Sequence, residues 1–461
     1  VASMYEGDTI AAVATPAGRG AIGIVRVSGP GAIAIARRVV RSRQEPEHWQ
    51  SHRLYRGEFL EPSGRVLDRG LAVLMRGPNS FTGEDVLELH AHGSPVVLQH
   101  LLAHVLQAGA RHAEPGEFTR RAFLNGKLDL AQAEALADLI EARTLGSALA
   151  AARQLGGELS RTLQRLREEV VQALAMVEAQ LDFGDEIELP VAETLDALDR
   201  VRNDLVRLHA TYSGGALLRQ GARVALVGRP NVGKSSLLNA LLGSERAIVT
   251  EIPGTTRDTL EEICDCEGIP VVLVDTAGLR PEIGTDAVER IGMQRTKDAV
   301  ECADLCLLVV DRSVPLAEED FLAWQQVSAR SHLIVANKSD LVPALDECAL
   351  PRSEWTRGVL AVSAREGLGL LELRKKIAEA LGGAPTSESR TAILTHPRHA
   401  AALRRAIDAV DQSLAALQQG MPLDIVSVEL HTAADALRAV TGEVGAEDIL
   451  DQIFSRFCIG K

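Results

Sequence analysis

The octapeptide Gly228-Arg229-Pro230-Asn231-Val232-Gly233-Lys234-Ser235 constrains this chain more than any other stretch. It fits the spacing G-x-x-x-x-G-K-[ST], and it stands between the apolar run Val224-Ala225-Leu226-Val227 and a helix-like run, Ser236 to Leu242, that ends near Gly243. A buried strand, a glycine-rich turn and a helix in that order build a phosphate cradle. Backbone N–H groups of the loop, including those of Val232 and Gly233, face the phosphates together with the helix N-terminus at Ser236. Lys234 adds a point charge, and the Ser235 hydroxyl can ligate Mg²⁺. A glycine-rich turn can also arise with no ligand, and the flanking strand and helix argue against that here. The loop announces a nucleotide without naming its base.

Downstream residues name it. The strand-like run Pro270 to Val274 delivers Asp275-Thr276-Ala277-Gly278, where a strand-end carboxylate can hold Mg²⁺ through water. A glycine at the fourth place lets backbone N–H approach a γ-phosphate. The run Leu333 to Ala336 leads into Asn337-Lys338-Ser339-Asp340. An ionised carboxylate only accepts hydrogen bonds, so Asp340 suits the N1–H and 2-amino donors of guanine. Adenine would leave it unpaired, which selects strongly against ATP. Ser363-Ala364-Arg365 follows another strand-like run and completes the base pocket. Between the loop and Asp275 lies Gly254-Thr255-Thr256-Arg257-Asp258, whose Thr256 can reach Mg²⁺ when a γ-phosphate is present. GTP is therefore the expected substrate.

One expected residue is missing. In Ras-like GTPases a Gln after the Asp-x-x-Gly element positions the attacking water. Leu279 stands there and cannot. Glu282, Asp286 and Glu289 are the polar candidates in the next segment, and the residues alone do not rank them.

The rest of the chain must house this site. At 461 residues it exceeds one core and predicts several domains. Aromatics make up only 3%, so the cores must rest on Leu, Ala, Val and Ile. The formal charge of −14 argues against a simple basic-stripe nucleic-acid binder, though not against a local RNA surface. No run reaches the roughly 18 apolar residues of a membrane span. The six cysteines lack C-x-x-C pairs, so reduced thiols in a cytoplasmic protein are expected; Cys264 and Cys266 fall two apart on one strand. Val1-Ala2-Ser3 reads as foreign to the native chain, with Met4 as its expected start.

Residues 4–121 mix short strand-like runs (9–14, 22–27, 86–93) with turns and a helix over 95–107, a compact α+β domain. Beyond this the pattern becomes helical. Leu155, Leu159, Leu163, Leu166, Val170, Leu174, Val177 and Leu181 recur at steps of three and four. Leu195, Leu198, Val201, Leu205 and Leu208 do the same, as do Leu403, Ile407, Val410, Leu414 and Leu417, with a fourth helix near Leu430, Leu437 and Val440. Such helices need one another's apolar faces. The fold class expected is multidomain α/β plus α: a helical domain from 122–215 and 384–461, interrupted by a Ras-like P-loop domain over 216–383, with boundaries near Gly214-Gly215 and Gly382-Gly383. Coiled-coil dimerisation through one of these faces is the competing reading.

Several stretches outside the GTPase motifs are specific. They are Asp8 to Pro16, Gly23 to Gly29, Pro78 to Asp85, Pro115 to Thr119, Arg121 to Leu130, and the terminal Phe457-Cys458-Ile459-Gly460-Lys461. With Gly254 to Asp258, they make nearly the whole chain resemble the MnmE (TrmE) family of tRNA modification GTPases. The resemblance implies a homodimer built on the N-terminal domain. That domain would bind a tetrahydrofolate of 5-formyl or 5,10-methylene type through Arg26, Glu88, Lys127 and Lys461. It also implies activation when two G domains meet, with K⁺ replacing an arginine finger. Asn231, Thr250, Ile252 and Thr255 match the potassium positions, and Pro253 stands where relatives often carry Ala. Glu289 matches the residue that orients water, which ranks it above Glu282 and Asp286. Lys234, Thr256 and Glu289 are then the catalytic set, with Mg²⁺ on Ser235 and Thr256. Cys458 matches a C-terminal cysteine related to modification. The family acts with MnmG, a partner using FAD and NADH, in a heterotetramer or larger complex. Together they place carboxymethylaminomethyl or aminomethyl groups on C5 of wobble uridine in tRNA. Two other classes fit some residues: a GTP-dependent assembly switch with slow hydrolysis, and a folate enzyme regulated by its G domain.

Overall fold

The computed structural model describes residues 7–184, 189–243, 263–275, 297–383, 392–442, 450, 453–455, 457 and 460. The chain divides into two compact units, one drawn mainly from Val1–Ala137 with Arg438–Lys461, the other from Asp138–Thr250 with Asp258–Leu437.

The first unit is built on a seven-stranded sheet. Its elements are β1 (Ile10–Val13), β2 (Gly20–Ser28), α1 (Ala32–Val39), β3 (Val40–Ser42), β4 (Arg53–Leu60), β5 (Val66–Met75), β6 (Val86–Gly93), α2 (Pro95–Gln107), β7 (Arg111–His112), α3 (Glu117–Leu124) and the start of α4 (Leu130–Glu141). The strand order is β3-β4-β5-β6-β2-β1-β7. Only the β1–β7 pair is parallel. Alternation fixes the two faces. Val25, Val27, Leu87 and Leu89 turn toward Ile35 of α1 and Leu98, Leu101 and Val105 of α2. On the opposite face of β1, Ile10 and Ala12 meet Phe118 of α3. The strands expected at 9–14, 22–27 and 86–93 and the helix over 95–107 are all present. The long β4–β5 hairpin has no counterpart among the expected strands: its first residues, the apolar Leu54 and Val66 included, are largely exposed, so its alternation is muted.

The second unit holds α5 (Leu145–Leu155), α6 (Glu158–Asp182), α7 (Val191–Ala210) and α8 (Tyr212–Gln220) ahead of a six-stranded sheet. Its core elements are β8 (Ala222–Val227), α9 (Lys234–Gly243), β9 (Ile263–Cys266), β10 (Ile269–Asp275), β11 (Leu305–Asp311), α10 (Glu318–Val327), β12 (His332–Asn337), β13 (Thr356–Ala361) and α11 (Leu370–Ala380). Two long helices, α12 (Pro397–Gln418) and α13 (Leu423–Thr441), follow. The sheet order is β13-β12-β11-β8-β10-β9, parallel except for β9.

Helices cover both faces of this sheet, which is why its strands read as unbroken apolar runs. Val224, Leu226, Leu305, Leu307 and Val309 face one cluster with Leu237, Leu241, Leu373 and Ile377. Ala225, Val227, Cys306, Leu308 and Val310 face another with Ala323 and Val327. Order reverses at β8: the chain next visits β9 and β10 on one side, then β11 to β13 on the other. The crevice beyond the C-terminal end of β8 is thus the topological switch point, where ligands of such sheets bind.

The expected apolar faces meet. α7 packs on α6 and on α12. Leu159, Leu163, Leu166, Val170, Leu174 and Val177 of α6 are all buried, as are Leu198, Val201, Leu205 and Leu208 of α7 and Leu403, Ile407, Val410, Leu414 and Leu417 of α12. Each such side chain contributes about 1.5–3 kcal/mol by leaving water. Arg165 bridges to Asp204, and Arg202 to Asp411, at the seams. Two expectations need correction. Leu181, placed on the α6 stripe by period, is 40% exposed because it lies in the last turn beyond the seam. Leu155, placed on the same stripe, instead closes α5, and Gly156-Gly157 separate it from α6. Gly214-Gly215 lies inside α8, and a Cβ on Gly215 would stand 2.0 Å from the Leu394 carbonyl oxygen. The pair is small so that another segment can cross it. The helix stops at Gly221, whose φ of +76° favours glycine.

Candidate functional site

The loop after β8 is shaped by left-handed residues at Asn231 (φ 65°) and Gly233 (φ 97°). Gly233 also answers a contact, since a Cβ there would lie 2.3 Å from Nδ2 of Asn337. Val232 is fully buried beneath the loop. Lys234 opens α9 and is itself buried; its Nζ donates to the carbonyls of Gly228 (2.7 Å) and Arg229 (2.9 Å). The ammonium is thus fixed over the loop by the loop's own backbone. Ser235 and Ser236 face solvent. Ser235 Oγ donates to Oδ2 of Asp275, at the end of β10, at 2.7 Å. A hydroxyl and a carboxylate converging beside a phosphate cradle are the oxygen donors that Mg²⁺ takes, so these residues fit that ion.

The residues expected to form a base pocket meet on the other side of β8. Asn337 ends β12 and is almost fully buried. Its Nδ2 donates to the Val232 carbonyl (2.9 Å), and its Oδ1 accepts from the Ala364 N–H (3.0 Å). Asn337 therefore ties the phosphate loop to the Ser363-Ala364-Arg365 segment; it is a latch. Ser363 is buried and donates to Oδ1 of Asp340 at 2.6 Å. That hydroxyl is the main cause holding the Asp340 carboxyl below its ordinary range, and so keeping it a pure acceptor. Arg365 is exposed and pairs loosely with Glu366. Lys338, at φ 64°, sends its ammonium to Asp311 at 2.6 Å.

Two residues escaped the motif reading. Asp311 ends β11 opposite Asn337 in the register and is buried. Burial raises its carboxyl, but hydrogen bonds from Lys338 and from Ser313 outweigh this and leave it lowered. A strand-end acid in Val309-Val310-Asp311 was the available signal. Asp320, nearly buried, holds Arg229 Nε at 3.1 Å on both oxygens and accepts the Ala317 N–H at the start of α10. Nothing local in the sequence joins positions 91 apart.

In the first unit, the β2–β6 register sets Arg26 opposite Glu88, 2.9 Å apart. The Arg26 guanidinium also lies 5.7 Å from the Phe118 ring centre and 6.0 Å from that of Phe81, and it donates to the Gly460 carbonyl at 3.4 Å. The C-terminal element thus reaches the β1–β2 end of the sheet. Lys127 is exposed and donates to the Pro78 carbonyl at 2.8 Å, so the structure groups Arg26 with Glu88 and places Lys127 on another loop. Beside them Arg121, 2% exposed, is ringed by Asp8, Glu84 and Glu117, and Arg111 shares Glu117 and Asp8. Burial opposes charge on Glu117, yet both guanidiniums and the Glu114 N–H hold its carboxyl below the ordinary range.

Thr250, Ile252, Thr255, Thr256, Thr276, Ala277, Gly278, Leu279, Glu289, Cys458 and Lys461 lie outside the described residues. Among the described residues no helix is long and apolar enough to cross a membrane.

Comparison with known proteins covers the chain end to end. The family described as GTP-binding protein TrmE N-terminus matches residues 9–127, and the MnmE helical domain matches residues 130–458. The chain is 47% identical to the tRNA modification GTPase MnmE of Heliobacterium modesticaldum, over 99% of this chain and 100% of that protein. It is 46% identical to the protein of the same name from Roseiflexus sp. (99% and 100%) and 47% identical to that of Chloroflexus aurantiacus (98% and 100%).

Proposed function

Since this chain belongs to the MnmE family of tRNA modification GTPases, we propose that its GTP hydrolysis is potassium-stimulated and drives modification of wobble uridine in tRNA. The observation that carries the reading is the loop itself. Asn231 is exposed in a left-handed turn, and its carboxamide has no hydrogen-bond partner among the described residues. A carboxamide oxygen exposed at the mouth of a phosphate cradle is a suitable ligand for a weakly hydrated cation. Thr250, Ile252 and Thr255 would supply the remaining oxygens. When bound, K⁺ supplies the positive charge that an arginine finger gives other GTPases.

The chain's own residues do the rest. The loop N–H groups and Lys234 hold the phosphates, Ser235 and Thr256 hold Mg²⁺, and Asp275 with Thr276, Ala277 and Gly278 bounds the γ-phosphate. Asp340, kept ionised by Ser363, selects guanine. Glu289 orients the water that Leu279 cannot. Phosphoryl transfer needs positioning and charge more than covalent chemistry, so these groups suffice.

Arg26, with its guanidinium near two aromatic rings and paired with a carboxylate, fits a flat, hydrogen-bonding ligand such as a tetrahydrofolate of 5-formyl or 5,10-methylene type. Glu88 would pair the ligand's polar edge, and Lys127 and Lys461 its anionic tail. In this reading the protein is a cytoplasmic homodimer that joins an MnmG-type FAD/NADH partner. The pair would install carboxymethylaminomethyl or aminomethyl groups at C5, with Cys458 near the folate. The domain limits that go with this assignment are 4–121, 122–215, 216–383 and 384–461. Hydrolysis measured in KCl and in NaCl at fixed Mg²⁺ should differ strongly. Equal rates at saturating GTP would remove the potassium role.

A further inference from the structure

The β9–β10 hairpin joins the two nucleotide-sensitive segments of the sequence, Gly254 to Asp258 before it and Asp275 to Gly278 at its end. One end of the hairpin, Asp275, accepts from Ser235 in the nucleotide site. The other end is the turn Glu267-Gly268, and it is held. Thr144 Oγ1 donates to the Gly268 carbonyl at 2.6 Å. The backbones of Gly146 and Gly268 touch, so that a Cβ on Gly146 would stand 2.7 Å from both Cα and O of Gly268.

The turn is stiff. Glu267 and Gly268 have φ of 53° and 88°, and the Gly268 N–H donates to Asp265 Oδ1 at 2.6 Å. On the receiving side, Thr144 is the N-cap of α5, in a reciprocal box with Ser147. One hydroxyl therefore both caps the helix and grips the hairpin. Ala150 of α5 and Leu218 of α8 lie in the same apolar cluster as the sheet, so behind the grip the helices are packed to the strands. The seven residues of β10 span about 23 Å at the usual strand rise.

We infer that the Thr144–Gly146 corner on the Gly268 turn relays nucleotide state from the GTP site to the helical segment. Thr144 and Gly146 are then positioning residues for tRNA modification, not for hydrolysis. A hairpin fixed at both ends passes a displacement at Asp275 to the first turn of α5. The Gly–Gly contact leaves no compliant side chain between the two backbones. The inference rests on the reading that GTP hydrolysis drives the modification of wobble uridine.

The substitutions separate capping from gripping. Thr144→Ser keeps both roles. Thr144→Asp still accepts from the Ser147 N–H, as a good N-cap does, but cannot donate to the Gly268 carbonyl. Gly146→Ala pushes the backbones apart. In each full-length variant three quantities are measured: KCl-stimulated GTP hydrolysis, wobble-uridine modification restored to a strain lacking the gene, and amide exchange of α5 with GDP and with a non-hydrolysable GTP analogue. The wild-type chain should show a nucleotide-dependent difference in exchange over the first turn of α5. Thr144→Asp and Gly146→Ala should hydrolyse within about twofold of wild type, lose that difference, and modify tRNA about tenfold less or worse. Thr144→Ser should match the wild type. The relay is overturned if Thr144→Asp keeps full modification, if it keeps the exchange difference, or if hydrolysis and modification fall together. Failure of the wild-type chain to restore modification would instead count against the proposed function, and the exchange measurement would still decide the relay.

Discussion

Replacing Asn337 with Ala tests the latch beneath the phosphate loop. The side chain is almost fully buried and makes two hydrogen bonds, from Nδ2 to the Val232 carbonyl and to Oδ1 from the Ala364 N–H. Alanine removes both partners and leaves one buried backbone group, the Val232 carbonyl, and one half-buried, the Ala364 N–H, without them. Each such group costs about 1–3 kcal/mol, and the two together about 2–5 kcal/mol once some relaxation is allowed. That is a large share of the roughly 5–15 kcal/mol that holds a domain together. The loss is local, so amide exchange at Val335 and Ala336 of β12 reads it best. Opening free energies there should fall by that amount without nucleotide. Asn337→Asp should divide the effect, because its carboxylate still accepts from Ala364 but faces the Val232 carbonyl with no proton to give. GTP binding should weaken in both variants. A drop under about 0.5 kcal/mol in Asn337→Ala would show that the Val232 and Ala364 groups find other partners, and the latch would be refuted.

Arg121→Met should destabilise the first unit by about 3 kcal/mol, near the lower end for a broken buried pair because Arg111 still holds Glu117; equilibrium unfolding of the intact chain would measure it. The same network predicts acid sensitivity. Asp8 and Glu117 have carboxyls held below their ordinary values in the folded chain, so the stability they lend is present above the ordinary carboxylate range and is lost as pH falls through the lowered values. A melting profile of wild type against Arg121→Met should converge at low pH, and parallel curves would contradict the assignment. Lys338→Met should strip Asp311 of its cation and lower GTP affinity about tenfold, about 1.4 kcal/mol; unchanged affinity by titration would show that Ser313 alone suffices for Asp311.

The phosphate loop, the apolar strands around it and the helical stripes were legible because each is a local pattern with one physical solution. Asn337, Lys338 and Asp340 were legible as a local motif for the same reason. The job of Asn337 as a latch was not, since it depends on β12 lying two strands from β8 with Val232 in reach of its amide. The Arg121 cage was hidden too: its acids come from positions 8, 84 and 117, and a buried arginine has no sequence signature of its own. Leu181 misled because periodicity continues past the point where the partner helix ends.

The seam between α7 and α12 has a consequence for synthesis. α6 and α7 emerge from the ribosome together and can pair at once through Leu166, Val170 and their partners. The face of α7 that α12 covers stays open until roughly 190 more residues are made, about 10–40 s at ordinary elongation rates. During that interval the nascent chain exposes a leucine stripe while an entire nucleotide-binding sheet folds beside it. This protein should therefore depend on chaperones that bind apolar helices during translation, and moving codons that slow elongation into the stretch between α7 and α12 should raise its tendency to aggregate.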